Sequence, residues 1–250
     1  MKRTVLITGA SGSMGSAAVE SLAAEGWDVI MACRKLEKGA AIRDEIAGRN
    51  PGASIELMHL DLESFSSIRG LASGLEGRRI DVLFNNAGTI SRSFGITEDG
   101  LEKTWQVNCA GPSLRMDLLT PQLGKVVSMV SLTCSLVRID EGYKGDSREQ
   151  FSQLGTYARA KLGLLLKTLD FSSRTGIPVS LADPGIVNSN MISMGRWFDP
   201  LADLLFRPLC SSPRKGVVPA LKAITSDETM LYYVGRKARP IPGRFTEARI

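Results

Sequence analysis

The chain has 250 residues, of which 43% are hydrophobic and 23% are charged. This composition supports a buried core and differs from that of disordered chains, which combine few apolar residues with high net charge. The net charge of +5 is scattered rather than arranged in a stripe, so it gives little support to nucleic-acid binding. His59 is the only histidine, which leaves a histidine-based zinc site and a Ser-His-Asp triad without their usual residues.

The four cysteines are far apart in sequence and include no Cys-x-x-Cys pair; they are Cys33, Cys109, Cys134 and Cys210. We interpret them as reduced, mostly buried thiols. The sequence shows no N-terminal targeting signal and no apolar run of the roughly 18 residues that a membrane-spanning helix needs. A cytoplasmic protein without an integral membrane segment is therefore expected.

Short apolar runs alternate with helix-like stretches along the whole chain. Strands are predicted at Thr4–Thr8, Val29–Cys33, Ser54–Leu60, Ile80–Phe84, Lys125–Ser131, Pro178–Ala182 and Met230–Val234. Helices are predicted at Ser16–Glu25, Leu36–Ala47, Ser64–Leu75, Thr97–Leu119 with a bend at Gly111-Pro112, Glu149–Arg174 and Pro213–Thr225. This alternation favours parallel βαβ units, and hence an α/β fold with a doubly wound sheet of about seven strands. No boundary interrupts the pattern, so a single domain over residues 1–250 is expected.

The first predicted strand runs into a glycine-rich turn that precedes the first helix. Its residues are Thr8, Gly9, Ala10, Ser11, Gly12, Ser13, Met14 and Gly15. Glycines allow a backbone to turn sharply and to approach a pyrophosphate, and a helix N-terminus supplies free N–H donors and positive potential. The turn therefore predicts a dinucleotide-binding site, because it stands between a strand and a helix.

The second predicted strand ends with Cys33, Arg34 and Lys35. An acidic residue near this position would bind the ribose hydroxyls of NAD, and here none is present. The guanidinium of Arg34 can instead pair with the 2′-phosphate of NADP(H), which a carboxylate would repel. We predict NADP(H) as the cofactor; the alternative for Arg34 is a solvated cation at the start of a helix.

Two further motifs follow later strands. Asp61 and Leu62 come after the third strand, and Asn85-Asn86-Ala87-Gly88 follows the fourth.

Tyr157 and Lys161 are four residues apart on a predicted helix and therefore share one face. A lysine ammonium lowers the pKa of a nearby tyrosine, which would make Tyr157 a usable general acid and base.

These motifs, in this order, resemble the short-chain dehydrogenase/reductase family from Thr4 to about Ser189. The resemblance implies a Rossmann-type fold with helices on both faces of the sheet. It also implies hydride transfer between a nicotinamide and a carbonyl or secondary alcohol. In that scheme Tyr157 transfers the proton, Lys161 binds the nicotinamide ribose, and Ser131 hydrogen-bonds the substrate oxygen. Asn108 matches the family's proton-relay asparagine.

The resemblance also assigns cofactor contacts. Asp61 and Leu62 match the adenine-contacting position, and the Asn86, Ala87 and Gly88 loop passes close to the cofactor. Pro184-Gly185-Ile186-Val187-Asn188-Ser189 matches the family's Pro-Gly-x-Val-x-Thr segment. Pro184 and Gly185 are therefore expected at the cofactor, with the Val187 backbone at the carboxamide and Ser189 at the amide or a phosphate.

The sequence departs from the family pattern at two positions. Ser13 replaces the middle glycine of the turn, and Gly12 stands one residue earlier, a spacing that resembles the family's extended branch. Val130 replaces the first of the paired serines. The Ala-Cys-Arg sequence ending at Arg34 and the additional residues 140–146 resemble the retinol-dehydrogenase-like and protochlorophyllide-reductase-like branch.

The segment near residues 189–212 is rich in apolar side chains and is expected to cover the substrate. These residues are Met191, Met194, Trp197, Phe198, Leu201, Leu204, Leu205 and Phe206. A lipophilic substrate of steroid, retinoid-like or polyketide type follows from a lid of this kind. Burial in the core or a dimer interface is an equal alternative, and peripheral membrane contact is a third.

Three functional alternatives remain at this stage. Besides a dehydrogenase, the extended-type glycine spacing also occurs in epimerases and dehydratases, which use the cofactor transiently. A non-catalytic NADP(H)-sensing protein is the third option, against which Ser131, Tyr157, Lys161 and Asn108 count. The resemblance implies a homodimer or homotetramer formed through the two long helices.

Overall fold

The computed structural model describes residues 2–139, 147–187 and 212–248. Within these residues, the strands are β1 Thr4–Thr8, β2 Asp28–Cys33, β3 Ser54–His59, β4 Val82–Asn85, β5 Val126–Met129, β6 Val179–Asp183, β7 Leu231–Val234 and β8 Lys237–Pro240. They form one sheet in the order β3-β2-β1-β4-β5-β6-β7-β8. Neighbouring strands pair in parallel from β3 to β7, and β8 pairs antiparallel with β7.

Helices connect the strands. They are α1 Ser13–Ala24, α2 Leu36–Arg49, α3 Phe65–Gly74, α4 Lys103–Trp105, α5 Gly111–Leu119, α6 Gln153–Thr175, α7 Pro213–Gly216, α8 Val218–Thr225 and α9 Gly243–Thr246. A π-helical turn, Gln106–Ala110, joins α4 to α5, and a 3₁₀ segment, Leu132–Leu136, follows β5.

Side chains of β1 alternate between the two faces of the sheet, as the pleat requires. Val5 and Ile7 pack in a cluster that includes residues of α1 and α8. Leu6 packs on the other face, in a cluster that includes residues of α3 and α5. Both faces of β1 are thus covered, which is typical of parallel strands and confirms the predicted doubly wound α/β fold.

The eighth strand, β8, is not among the strands that the sequence predicts. Its residues Lys237, Arg239 and Pro240 are exposed, and none of them belongs to an apolar run. An edge strand tolerates charge and proline because one of its sides forms no ladder hydrogen bonds. Such a strand therefore leaves no hydrophobic pattern in the sequence.

The predicted helix Thr97–Leu119 is wrong in its start and in the place of its irregularity. Gly100, at φ +79°, closes a turn after Thr97, and helical structure begins at Lys103. Pro112 lies in the first turn of α5, where a proline fits a helix without a kink. The irregular part is instead the π-helical turn, which proline and glycine signals do not report.

A buried polar chain ties α5 and α6 to the sheet. The guanidinium of Arg115, which is fully buried, donates to Asn85 Oδ1. Asn85 Nδ2 donates to Ser128 Oγ at 3.0 Å, and Ser128 Oγ lies 2.8 Å from Thr168 Oγ1. Burial lowers the pKa of the Arg115 guanidinium. This series of hydrogen-bonded side chains fixes the carboxyl ends of β4 and β5 relative to α5 and α6, the two helices that pack on them.

Packing of α6 predicts a clear difference between two leucines of the same helix. Leu165 is 0% exposed, whereas Leu154 is 60% exposed. Leu165→Ala should lower the free energy of unfolding by about 2–5 kcal/mol, because it removes apolar contacts and leaves a cavity. Leu154→Ala should change it by no more than about 0.5 kcal/mol. Urea unfolding of both variants checks this, and equal losses would contradict the assignment of the buried face.

Candidate active site

A cleft of about 440 Å³ lies at the carboxyl edge of the sheet. In the sheet, β2 and β3 lie on one side of β1 and β4 lies on the other. The cleft is therefore at the point where the strand order reverses. Such reversal points are where ligands bind in open α/β sheets. The cleft brings together most of the predicted cofactor residues: Gly9, Ser11, Gly12, Ser13, Met14, Gly15, Arg34, Lys35, Asp61, Leu62, Asn86, Ala87 and Gly88.

The glycine turn needs its glycines for steric reasons. Gly9 has φ +62°, and a Cβ atom there would lie 2.9 Å from the Cα atom of Ala87. A Cβ atom on Gly15 would lie 2.8 Å from the Cα atom of Ala10. Gly12 caps α1 without any side-chain hydrogen bond, and the first turn of α1 contains no acidic residue. The N-terminus of α1 is therefore suited to an anion.

Thr8 and Asn86 join the turn after β1 to the turn after β4. Thr8 Oγ1 accepts hydrogen bonds from the Asn86 amide at 3.2 Å and the Ala87 amide at 3.1 Å. The Asn86 side chain donates from Nδ2 to the Thr8 carbonyl oxygen at 2.8 Å. Asn86 Oδ1 is buried and has no partner among the described residues. Asn86 itself lines the cleft, and a ligand donor that reaches Oδ1 would satisfy this acceptor.

Arg34 lines the cleft but forms an ion pair with an acidic residue that the sequence analysis did not single out. Its Nη1 lies 2.8 Å from Glu63 Oε1, and Glu63 Oε2 lies 3.3 Å from Lys103 Nζ. Glu63 also lines the cleft. Cys33 is buried, and burial is the main cause that raises its thiol pKa. The position of Glu63 directly after Asp61-Leu62 is the only sequence signal that could have pointed to it.

Asp61 shapes the wall of the cleft through its own turn. Its carboxylate Oδ1 accepts a hydrogen bond from the Glu63 amide at 2.9 Å, and its backbone amide donates to Ser67 Oγ at 2.9 Å. These contacts give Asp61 a structural role. Its contact with adenine stays a prediction.

The predicted catalytic residues converge beside β5. Lys161 is 2% exposed, and its ammonium donates to the Met129 carbonyl oxygen at 2.9 Å. Lys161 Nζ lies 5.9 Å from the centre of the Tyr157 ring. The Tyr157 hydroxyl hydrogen-bonds Ser131, whose Oγ also accepts from Thr133 Oγ1 at 3.0 Å. The arrangement places a phenol, a serine hydroxyl and an ammonium in one largely buried cluster.

Asn108 belongs to the π-helical turn and is held by three hydrogen bonds. Its Nδ2 donates to the carbonyl oxygens of Thr89 and Thr104, both at 2.8 Å, and its Oδ1 accepts from the Thr89 amide at 3.3 Å. A Cβ atom on Gly88 would lie 2.8 Å from Asn108 Oδ1 and 3.3 Å from Lys161 Nζ. Gly88 thus allows the loop after β4 to approach both residues, and the relay role of Asn108 stays a prediction.

The pKa values of this cluster follow burial rather than the expected lysine effect. The sequence suggests that Lys161 lowers the pKa of Tyr157. Instead, burial raises the pKa of Tyr157, and the hydrogen bond with Ser131 only partly opposes it. Burial also lowers the pKa of Lys161 to about 8. Lys161 does not lower the pKa of Tyr157 because its ammonium donates to the Met129 carbonyl oxygen, while the Tyr157 phenol is desolvated.

The segment after β6 lies next to the glycine turn without lining the cleft itself. Gly185 has φ +68°, a conformation that favours glycine. A Cβ atom on Gly216 of α7 would lie 3.2 Å from Val187 Cγ1 and 3.4 Å from Met14 Sδ, so α7 packs between Val187 and Met14. Pro184, Gly185 and Val187 are absent from the cleft lining in the described part of the chain. Ser189 and most of the expected lid at 189–212 lie outside the described residues.

Metal and membrane features are lacking in the described ranges. There, no group of three or more histidine, cysteine, aspartate or glutamate side chains could hold a metal ion. Across those same ranges, every helix is too short or too polar to pass through a bilayer. Cys33, Cys109 and Cys134 are free and buried, and His59 is an exposed strand residue 3.3 Å from Ser67 Oγ.

Sequence comparisons identify relatives of this chain. A family model described as short chain dehydrogenase matches residues 3–196. Retinol dehydrogenase 13 of Homo sapiens is 31% identical over 199 residues, which cover 76% of this chain and 60% of the human protein. Retinol dehydrogenase 14 of Homo sapiens is 31% identical over 254 residues, which cover 90% of this chain and 75% of that protein. The match to the first of these relatives thus spans less than two thirds of its length.

Solved structures resemble the fold. An uncharacterized protein from Mycobacterium Paratuberculosis has a TM-score of 0.76 at 29% identity, with 98% of this chain and 88% of that chain covered. A short-chain dehydrogenase from Sphingobium yanoikuyae in complex with NADPH has a TM-score of 0.69 at 19% identity, with 93% and 87% covered. At the second identity, the likeness shows the fold alone.

The close approach at Gly88 gives a testable contrast with a glycine in open space. Gly88→Ala should lower the free energy of unfolding by about 1–3 kcal/mol, because the new methyl group displaces Asn108 or Lys161. At Gly48, in α2, a methyl group would have no neighbour within 4 Å, so Gly48→Ala should be neutral or stabilising by up to about 1 kcal/mol. Thermal unfolding of both variants measures the difference in stability. A Gly88→Ala variant as stable as wild type would contradict the close packing of Gly88 against Asn108 and Lys161.

The buried ammonium of Lys161 predicts a pH dependence of stability. Its pKa is about 8 in the fold and 10.5 in the unfolded reference. Between these values Lys161 binds more protons in the unfolded chain than in the fold, so its own contribution to the free energy of unfolding should rise with pH. Cys109 and Cys134 act in the opposite direction above pH 9, because burial raises the pKa of their thiols from 9.0 to about 12 and about 11, respectively, and these thiols therefore bind more protons in the fold than in the unfolded chain.

Lys161→Met should remove this contribution. The free energy of unfolding of Lys161→Met should exceed that of wild type by the largest amount at pH 7. This difference should shrink as the pH approaches 10. Urea unfolding at intervals of pH measures the difference. A difference that does not change with pH would show that Lys161 is not a buried ammonium.

Proposed function

Because the chain belongs to the short-chain dehydrogenase family, in its retinol-dehydrogenase-like branch, we propose that it is an NADP(H)-dependent oxidoreductase acting on a carbonyl or secondary alcohol. The observation that carries the proposal is the convergence of Ser131, Tyr157 and Lys161 in one largely buried cluster. An acid, an oxygen-binding hydroxyl and a cation are the groups that proton transfer to a carbonyl oxygen requires.

The residues of the cleft fit a dinucleotide. The N-terminus of α1, which no side chain caps, suits a pyrophosphate, and Gly9 and Gly15 allow the turn to pack closely against Ala87 and Ala10. The free acceptor Asn86 Oδ1 suits a ribose hydroxyl or an amide. These observations support Gly9 to Gly15, Asn86, Ala87 and Gly88 as the residues that would hold the cofactor.

Preference for NADP(H) rests on the cations at one end of the cleft. Arg34 and Lys35 line it, and the residue at the end of β2, Cys33, is no carboxylate. Lys38 adds a third cation to the lining. The Glu63 carboxylate competes for Arg34, so a 2′-phosphate would have to take Arg34 from this ion pair. The net charge of the cleft lining favours binding of the 2′-phosphate, because three cationic side chains outnumber the two carboxylates that line the cleft.

When bound, a nicotinamide would supply or accept the hydride. Tyr157 keeps its proton at neutral pH, since burial raises its pKa, and it can donate that proton to a carbonyl oxygen. Ser131 Oγ can hydrogen-bond the same oxygen and hold it next to the phenol. Lys161, fixed by the Met129 carbonyl oxygen, holds its ammonium beside Tyr157 for contact with a ribose hydroxyl.

A lipophilic substrate is part of the proposal. The two human relatives are named retinol dehydrogenases, and retinol is an apolar alcohol. The apolar residues between positions 189 and 212 agree with such a substrate. Retinoid-like, steroid and polyketide carbonyl compounds are the classes to screen.

The first prediction of this proposal concerns Tyr157. Tyr157→Phe should lower kcat by at least about 100-fold, because the proton donor is lost, while NADPH affinity stays close to wild type. Tyr233→Phe is the matched control, since Tyr233 is a buried tyrosine of β7 whose hydroxyl donates to the Glu228 carbonyl oxygen. Carbonyl reduction with NADPH measures both. Full activity of Tyr157→Phe would exclude the proposed acid.

The second prediction concerns the selection of NADPH over NADH. Arg34→Ala should weaken NADPH binding by roughly 10- to 100-fold and leave NADH binding unchanged, because only NADPH carries the 2′-phosphate. Glu63→Gln should tighten NADPH binding by about 2- to 5-fold, because it frees Arg34 from an exposed ion pair. Fluorescence titration of both cofactors gives the affinities.

The double variant serves as the control. In the Arg34→Ala background, Glu63→Gln should bring little gain, because Arg34 is no longer present to be freed. Equal affinities of the wild type for NADPH and NADH, unchanged by Arg34→Ala, would show that the cations do not select the phosphate.

A further inference from the structure

Arg115 is a fully buried cation on α5 that the proposed chemistry does not use. Its side chain is 0% exposed, and its Nη2 donates to Asn85 Oδ1. Its Nε and Nη1 have no partner, and no carboxylate forms an ion pair with it, in the part of the chain that the structure describes. One neutral acceptor offsets only part of the loss of hydration of a buried charge. The presence of Arg115 therefore needs an explanation other than stability.

The hydrogen bonds that begin at Arg115 run in one direction only. A guanidinium carries donors and no acceptor, so Asn85 must present its Oδ1 to Arg115 and its Nδ2, at 3.0 Å, to Ser128 Oγ. The Ser128 hydroxyl then donates to Thr168 Oγ1 at 2.8 Å, because the Thr168 hydroxyl itself donates to the Leu164 carbonyl oxygen at 2.7 Å. We call these four buried side chains the buried series: Arg115, Asn85, Ser128 and Thr168.

The buried series attaches α6 to β5 close to Lys161. Ser128 directly precedes Met129, whose carbonyl oxygen accepts from Lys161 Nζ at 2.9 Å. Thr168 follows Lys161 by seven residues, which is about two helical turns, and so lies on the same face of α6. Two hydrogen bonds thus join one face of α6 to consecutive residues of β5. Two attachments fix both the rotation and the height of a helix on a strand, and with them the position of Tyr157.

We propose that Arg115 is a positioning residue for proton transfer: it fixes the direction of the buried series, and the series fixes α6, with Tyr157 and Lys161, on β5. This inference rests on the proposed function, which assigns those two residues to catalysis. Arg115 acts only through the series. It is the one member that cannot accept a hydrogen bond, and this property, rather than its stability, explains a guanidinium at this place.

Loss of the guanidinium would allow a second arrangement of the series. Asn85 could then turn its amide so that Oδ1 faces Ser128, and the Ser128 hydroxyl would donate to it. The bond between Ser128 and Thr168 would survive only if the Thr168 hydroxyl left the Leu164 carbonyl oxygen. With the series divided between two directions, α6 would be held less firmly. We expect kcat to fall more than cofactor affinity, because the tie between the turns after β1 and β4 lies outside the series.

The test compares Arg115→Met with wild type in carbonyl reduction by NADPH, in NADPH titration and in thermal unfolding. We expect kcat to fall by about tenfold and the Kd for NADPH to stay within about twofold. The Tm should not fall, because replacing a buried charge that has no counter-ion by an apolar side chain is neutral or stabilising. Arg115→Lys keeps a donor-only cation and should retain more activity than Arg115→Met.

Thr168→Val tests the other end of the series, because valine removes the hydroxyl and keeps the branched shape. It should lower kcat by a similar factor, and the double variant with Arg115→Met should lose no more, because both changes release the same attachment. Thr175→Val is the matched control and should keep wild-type activity. Thr175 also donates to a carbonyl oxygen one turn earlier on α6, that of Phe171 at 2.7 Å, but lies outside the series. Where Arg115→Met does not fold, Arg115→Lys takes its place in the double variant.

The outcomes separate this inference from the proposed function. Wild-type kcat in Arg115→Met, or a fall in kcat that accompanies a lower Tm and weaker NADPH binding, overturns the inference and leaves the proposed function intact. Losses that multiply in the double variant also overturn it. Failure of the wild type to reduce any carbonyl compound with NADPH overturns both. A lower kcat at unchanged Tm and NADPH affinity, with no further loss in the double variant, supports the positioning role.

Discussion

The hydrogen bonds between Thr8 and Asn86 hold the cleft together. They join the turns after β1 and β4, two strands that are neighbours in the sheet, although the bonded residues are 78 positions apart along the chain. The joined turns lie so close that Gly9 can carry no side chain against Ala87. Because Gly88 continues the same loop, the tie also sets how near the loop comes to Asn108 and Lys161.

Of the five buried charged residues in the described ranges, three lie near the carboxyl ends of the strands, whereas Lys125 lies at the amino end of β5 and Glu102 caps α4. Arg115 lies against β4 and β5, Lys161 beside β5, and Asp183 at the end of β6. Burial of charge lowers stability unless hydrogen bonds or opposite charges offset it. Arg115 belongs to the hydrogen-bonded chain that links α5 and α6 to the sheet, whereas Lys161 belongs to the proposed catalytic cluster. The lowered pKa of Lys161 and the raised pKa of Tyr157 are the measurable signs of this arrangement.

Much of the fold could be predicted from the sequence, because strands buried on both faces are apolar runs and glycine turns stand between them and the helices. The parallel strands were all located to within a few residues. The antiparallel edge strand β8 and the π-helical turn were missed, since neither depends on a hydrophobic period or on a proline. The helix α6 begins at Gln153 rather than Glu149, and the Ser152 amide before it donates to Thr156 Oγ1 in its first turn.

The candidate site was predictable where it depends on short motifs and not where it depends on tertiary contacts. Gly9, Asn86 and Tyr157 stand in recognisable patterns, and the structure places each of them around the cleft or the largely buried cluster. The ion pair of Arg34 with Glu63 joins residues 29 positions apart, and the Asp183–Tyr232 bond joins residues 49 apart. No local sequence pattern specifies such pairs. The direction of the Tyr157 pKa shift depends on the burial of the phenol, which the sequence does not give.

The most direct test of the cleft as the cofactor site is hydrogen–deuterium exchange of the protein with and without saturating NADPH. We predict slower exchange at the amides of residues 9–15 and 86–89, because the cofactor lies on the glycine turn and on the loop after β4. A surface depression lined by Arg69, Arg78 and Pro121, away from the cleft, serves as the internal control and should not change. Unchanged exchange at both turns, or protection confined to that depression, would contradict the assignment of the cleft.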